Sequence, residues 1–182
     1  MRLLLLPALL LATAGASAAD YIAQAGSTLG FTATYQEEAF DGTFGKFTPT
    51  LRFDPADLAG SRLDVRISLG SASTANAERD EVLLGGEFFD AAGQPEARYV
   101  ATSFRALGGN RFVAEGTLSL RGVSKSVPLA FTWTPGAQPV LAGEATLSRL
   151  TFKVGTGDWT DIGLLPDAVK VNTRLVLAPK AG

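Results

Sequence analysis

The chain has 182 residues, a formal charge of −2, and neither cysteine nor histidine. Without those side chains there is no disulfide, no thiolate or imidazole metal site, and no Ser-His-Asp or Cys-His catalytic pair. Its scattered charges give neither the basic footprint of a nucleic-acid binder nor a polybasic patch for anionic lipid.

Residues 1–19 read as a secretory signal: Arg2, an apolar run from Leu3 to Ala12, then small residues up to Ala19. The run is shorter than the roughly 20 residues of a membrane span. With no cysteine to acylate, a lipoprotein anchor is excluded. The expectation is a secreted protein, the signal itself fitting a periplasm or an extracellular space, with one domain over residues 20–182 large enough for a real core.

Strict alternation then predicts the strands. Ser27 to Tyr35 places Leu29, Phe31, Ala33 and Tyr35 on one face. Gly42 to Phe53 carries Phe47, Leu51 and Phe53 in phase, while Phe44 is out of phase, which predicts a bulge near Gly45. Pro49 removes a ladder donor and points to a bend or an edge. Arg62 to Leu69 directs Leu63, Val65, Ile67 and Leu69 inward. Alternation stops between Ser71 and Asp90. A short helix is expected there, capped by Thr74 or Asn76 and ended by Gly85-Gly86, with Phe88 and Phe89 plugging it onto the sheet.

The strand pattern resumes at Arg98 to Ala106 and turns at Gly108-Gly109-Asn110. Arg111 to Leu120 and Ser126 to Thr134 form a hairpin whose dry face holds Leu118, Leu120, Val127, Leu129, Phe131 and Trp133. Its turn, Arg121-Gly122-Val123-Ser124-Lys125, is charged and is expected in water. Val140 to Ser148 follows, then an irregular stretch from Thr151 to Pro166, then Val169 to Leu177. The fold class is all-β, with eight antiparallel strands and one short helix. Periodicity fits a closed barrel or a two-sheet sandwich, because both need one dry face.

Five motifs in fixed order carry a resemblance. They are Phe40-Asp41-Gly42-Thr43-Phe44 leading to Leu51-Arg52-Phe53-Asp54-Pro55; Asn76-Ala77-Glu78-Arg79-Asp80; Glu87-Phe88-Phe89-Asp90; Gly116 to Lys125; and Ser148-Arg149-Leu150-Thr151-Phe152-Lys153-Val154-Gly155. Together they resemble the YceI family, periplasmic polyisoprenoid-binding-like proteins. The resemblance implies an eight-stranded antiparallel lipocalin-like β-barrel with one short helix. It also implies a long apolar cavity for a polyprenyl chain, such as an isoprenoid quinone or a polyprenyl phosphate. Where many relatives carry a Lys-His pair, this chain has Tyr35-Gln36-Glu37-Glu38-Ala39.

The candidate ligand-binding residues are Leu29, Phe31, Tyr35, Phe47, Leu63, Val65, Ile67, Leu118, Phe131, Trp133, Trp159, Val171 and Leu175. Each also suits an ordinary filled core. Arg79-Asp80 is placed to organise a barrel mouth or to cap the helix. Arg149 is placed to brace the irregular segment, and Trp159 to cap the cavity. Asp158 and Asp161 lack the spacing of a calcium loop, and Gly155-Thr156-Gly157 is not a phosphate loop. No catalytic residue, metal or cofactor is assigned; the expected ligand is an isoprenoid lipid, with room for transient contact with a membrane or membrane enzyme, or for a homodimer. Two other readings stand beside it: a packed structural or stress-related barrel acting through a protein partner, and an enzyme using Asp80 with Glu81 or Glu87. The enzyme reading requires a raised carboxylate pKa.

Overall fold

The computed structural model describes residues 19–180. The expected secretory signal lies outside the described residues, apart from Ala19. The alternating segments form strands β1 (Ala19–Ala23), β2 (Thr28–Tyr35), β3 (Glu38–Phe44), β4 (Phe47–Phe53), β5 (Arg62–Ser68) and β6 (Ala72–Ser73). After helix α1 (Ala77–Leu84) come β7 (Glu96–Gly108), β8 (Arg111–Leu120), β9 (Val123–Thr134), β10 (Val140–Ser148) and β11 (Ala168–Pro179).

Hydrogen bonding runs β1-β4-β5-β7-β8-β9-β10-β11 and returns to β1, so an antiparallel barrel closes. Eight staves are about the number at which side chains can fill the interior or surround one small ligand. Three staves are broken. β2 continues β1, with β11 pairing to β1 at Leu177–Pro179 and to β2 at Lys170–Arg174. Likewise β3 continues into β4, and β5 into β6. The β3–β4 break falls at Gly45-Lys46, where the Gly45 N–H donates to Ser71 and the Lys46 carbonyl accepts from Ser68. It resets the phase, so both Phe44 and Phe47 turn toward the core. Pro49 pairs with Val65 on β5, just beyond the last β1 pairing at Thr50, so its missing N–H breaks no ladder on that side.

The barrel is closed at its base and splayed at its mouth. β9 and β10 pair only from Thr134↔Val140 to Ala130↔Glu144. Beyond that point β9 stays with β8 up to Val123, and β10 stays with β11 up to Ser148. On the opposite side, β5–β7 pairing ends at Ser68↔Glu96, while β6 joins β3. Two seams result. Residues 74–95, including α1, fill one, and residues 149–167 fill the other. Asn76 caps α1 by accepting from the Arg79 N–H at 3.0 Å.

Aromatic rings fill the base. Phe53 lies 5.0 Å from Trp133, 5.1 Å from Phe112, 5.4 Å from Phe131 and 5.8 Å from Phe104 between ring centroids. Leu51, Leu63, Leu141, Leu175 and Leu177 complete a core that is essentially sealed from water.

Several details depart from the sequence-based expectations. β1 is not among the expected strands; Tyr21 on it packs edge-on against Trp133 at 5.5 Å. A register shift between Ala101 and Ser103 turns Phe104 inward, against simple alternation. The β8–β9 turn is only Arg121-Gly122, both at positive φ (51° and 71°), the pattern of a type I′ hairpin. Gly85 caps α1 without left-handed geometry, at φ −69°.

Candidate functional site

Between the splayed sheets of the mouth lies a cavity of about 140 Å³. Its walls come from Leu29, Phe31 and Ala33 on β2, Phe40 and Phe44 on β3, Ile67, Leu69, Ala97, Leu118, Leu120, Leu147, Val169 and Val171. Its roof is Leu83, Phe88 and Phe89 from one seam filler and Phe152, Val154 and Leu165 from the other. Small residues make the space. The far end of the Phe31 ring sits over Gly42, where any Cβ would overlap it. Ala33 and Ala97 project little.

Arg149 is the one charged residue of the lining, and it is 4% exposed. Its five N–H groups all donate to backbone carbonyls of its own loop. Nε meets Pro166 at 3.0 Å, Nη1 meets Val154 at 3.0 Å and Gly155 at 3.2 Å, and Nη2 meets Trp159 at 2.6 Å and Leu165. Burial pulls its pKa down, partly offset by the Asp167 charge. A buried guanidinium is tolerated when every donor is satisfied. It braces the loop, as expected from its position, and has no donor left for a ligand. Among the described residues no buried side-chain polar atom lacks a partner.

The two roof segments are zipped together. The Glu87 carbonyl accepts from the Gly155 N–H at 2.7 Å and the Thr156 N–H at 3.0 Å. The Glu87 carboxylate accepts from the Trp159 indole N–H at 3.0 Å. Arg121 reaches over from the β8–β9 turn and donates to the carbonyls of Gly86 (2.7 Å), Glu87 (3.1 Å) and Lys153. This corrects the expectation that Arg121 is a solvated turn charge: the backbone of both roof segments lies within its reach.

Helix α1 is tied to the mouth by its first turn. Asp80 accepts from the Thr74 hydroxyl and N–H, both at 2.6 Å, and from Ser73 at 2.7 Å. Arg79 donates to the Thr74 hydroxyl at 2.9 Å and stacks over the Phe40 ring at 4.3 Å. Hydrogen bonding from Thr74, more than any other influence, holds the Asp80 carboxyl below the usual carboxylate range. That is the opposite of the raised pKa the enzyme reading requires of it.

Beside the cavity, a cleft of about 310 Å³ is lined by Tyr35, Asn76, Glu78, Arg79, Val82 and Trp159. Phe40, Leu83, Phe88 and Leu165 line both spaces and form the partition between them. Trp159 packs on Phe88 at 5.2 Å and on Tyr35 at 6.0 Å.

The candidate residues therefore separate into four groups. Leu29, Phe31, Ile67, Leu118 and Val171 line the cavity, and Tyr35 and Trp159 line the cleft. Leu63, Phe131, Trp133 and Leu175 sit in the base among packed rings and leucines and do not line the cavity. Phe47 and Val65 are half-buried against the same core and do not line the cavity. Sequence alone does not mark Phe40, Phe44, Phe152, Val154 or Leu165 as ligand contacts. The phase break at Gly45 is the signal that could have found Phe40 and Phe44. The loop residues carry no periodic signal.

The sequence matches the YceI-like domain over residues 21–177. A UPF0312 protein of Shewanella denitrificans is 33% identical over 181 residues, covering 95% of this chain and 93% of its own. Among solved structures, BcnA of Burkholderia cenocepacia superposes with a TM-score of 0.81 at 28% identity, over 84% of this chain and 96% of that one. A domain from Saccharophagus degradans described as polyisoprenoid-binding shares the fold, with a TM-score of 0.68 at 16% identity, over 90% of this chain and all 100% of its own. With the matched region running from β1 into β11 and taking in both roof segments, the chain belongs to the YceI-like domain family.

Proposed function

We propose that the protein binds an isoprenoid lipid, with apolar chain in the mouth cavity and headgroup in the adjoining cleft, and carries or sequesters it in the periplasm. The observation that carries this reading is the cavity itself. It is an apolar space left unfilled in a protein whose base is packed with rings and leucines. Its lining offers no free polar group, so it favours only hydrocarbon, at about 25 cal/mol per Å² removed from water. Family membership and the description of the Saccharophagus degradans domain support the same class of ligand.

The charge of the mouth favours an uncharged headgroup, such as a quinone, over a polyprenyl phosphate. Glu37, Glu38, Glu78, Glu81, Asp158 and Asp161 are exposed around it. Arg121 and Arg149 are engaged by carbonyls, and Arg79 gives its Nε to the Thr74 hydroxyl and its face to the Phe40 ring. A phosphate would meet repulsion from these carboxylates, with only the Nη groups of Arg79 left among these arginines to receive it. No catalytic step is assigned to the site.

Native mass spectrometry with solvent extraction, on protein taken from its own periplasm, tests this. The expected result is one polyprenyl species per chain, lost on extraction. A bare mass that stays unchanged after incubation with ubiquinone and with polyprenyl phosphate overturns the reading. It would favour a barrel acting through a protein partner, an alternative supported by how small the cavity is.

A further inference from the structure

The cavity is too small for the ligand class proposed for it. A void of about 150 Å³ accommodates one benzene, so about 140 Å³ holds about one isoprene unit. A chain of several units needs the mouth to open, and the base cannot supply the room because rings fill it. We propose that residues 149–167 form a rigid flap over the seam between β9 and β10, that the apolar chain passes through this seam, and that Arg121 is the latch holding the flap shut. The entrance and latch rest on the lipid-binding reading; the mechanics of the flap do not.

The seam is the weak line of the wall. No β9–β10 ladder pairing exists beyond Ala130↔Glu144, and the Leu150–Phe152 turn packs there against β9 instead. Phe152, 2% exposed, plugs the seam from the cavity side. The flap is stiff within itself, because the five Arg149 bonds all end on its own carbonyls. It is therefore built to move as one body. Beyond the packing of Phe152, Val154, Leu165 and Trp159, its hydrogen-bonded ties to the rest of the mouth are few. Arg121 holds Lys153, Glu87 holds Gly155, Thr156 and Trp159, and Leu164 accepts from the Gln36 N–H at 3.0 Å.

Arg121 is in an unfavourable place for an ordinary turn residue. Its φ of 51° suits asparagine or glycine at the first position of such a hairpin, and a larger side chain there is strained. An arginine that accepts this strain while donating to carbonyls of both roof segments has a role that a turn alone does not require. Its reach to Gly86, Glu87 and Lys153 couples the two seam fillers, so releasing Arg121 loosens both.

The test is Arg121→Asn, which relaxes the turn and removes the latch together. Amide hydrogen exchange on the ligand-free protein is the first readout. Exchange at Gly155 and Thr156 is expected to rise about tenfold or more, since charge-assisted bonds to carbonyls are lost. Exchange around Leu141 and Leu175 in the base should stay as it was, and Tm should hold or rise. A Tm drop with equal acceleration in base and roof, or unchanged exchange at Gly155 and Thr156, overturns the latch. The second readout is stopped-flow quenching of tryptophan fluorescence by ubiquinone-2. Faster association and faster release in Arg121→Asn, with little change in Kd, is expected; unchanged rates overturn the entrance. If neither protein is quenched while the exchange result holds, the lipid reading fails and the flap stands.

Discussion

The base and the mouth of this barrel are made from the same alternating strands and end in opposite states. In the base, inward positions hold Phe53, Phe104, Phe112, Phe131 and Trp133, and the rings meet one another. In the mouth, inward positions include Ala33, Gly42 and Ala97, the wall splits along two seams, and the space is roofed by irregular chain. Closure of the hydrogen-bonded ring fixes the base, whereas isolated backbone and side-chain bonds outside any ladder hold the mouth. The first is cooperative and stable, and the second can open locally at lower free energy.

The largest effect that would break this contrast is at Phe53. Phe53→Ala is expected to cost about 3–5 kcal/mol, the range for a buried phenylalanine, because four rings lose a common neighbour. Phe89→Ala, beside the existing cavity, should cost less, about 2 kcal/mol, since one side of that ring already faces space. Urea denaturation of both variants checks the order. Equal losses would mean that base and mouth share one core.

Arg149→Met comes next. It leaves five carbonyls of the flap without their donor, and the expected cost is about 3 kcal/mol if they stay buried. The loss should be local: hydrogen exchange should show residues 150–166 unprotected while β10–β11 near Leu141 stays protected. Collapse of both regions together would contradict a mouth that moves independently of the base.

How much of this is legible in the sequence follows the same division. Leu63, Val65, Ile67 and their polar alternates specify β5 unambiguously, and Phe44, standing out of phase with Phe47 and Leu51, marks the Gly45 break by pattern alone. The base and mouth cannot be told apart that way, because Phe131 and Leu118 sit on equally clean strands and differ only in what faces them across the barrel. The roof is least visible. Phe152, Val154 and Leu165 follow no period, and Arg121 acts on carbonyls more than thirty residues away in sequence. Turn chemistry alone places such an arginine in water. β1 escapes because five residues beside a signal-like segment offer too little alternation to read.

A smaller effect sharpens the claim that the cavity is kept empty for a ligand. Ala97→Leu directs a branched side chain into it. The expected gain is about 1 kcal/mol in the ligand-free protein, typical of cavity filling, with quenching by ubiquinone-2 abolished. A raised Tm with binding intact would place the ligand elsewhere.

The smallest effect concerns pH and separates the mouth from the base by its own acid. The Asp80 carboxyl titrates below its ordinary value near 3.8 because Thr74 and Ser73 donate to it. A depressed folded pKa contributes stability above the unfolded value and loses it as pH falls through the folded one. The Thr74 amide, donating to Asp80 at 2.6 Å, should therefore stay protected at neutral pH and lose protection only in the acid range below about pH 4. In Asp80→Asn that step disappears, and protection at neutral pH is weaker. Asp64 is also depressed, chiefly by its hydrogen bond from Arg98 on the outer wall. Acid therefore weakens the β5–β7 wall as well, and Asp80→Asn leaves that loss in place. If the Thr74 amide responds to pH identically in wild type and Asp80→Asn, the ordering of α1 depends on packing over Phe40 rather than on Asp80, and the mouth is less separable from the barrel than its hydrogen bonds imply.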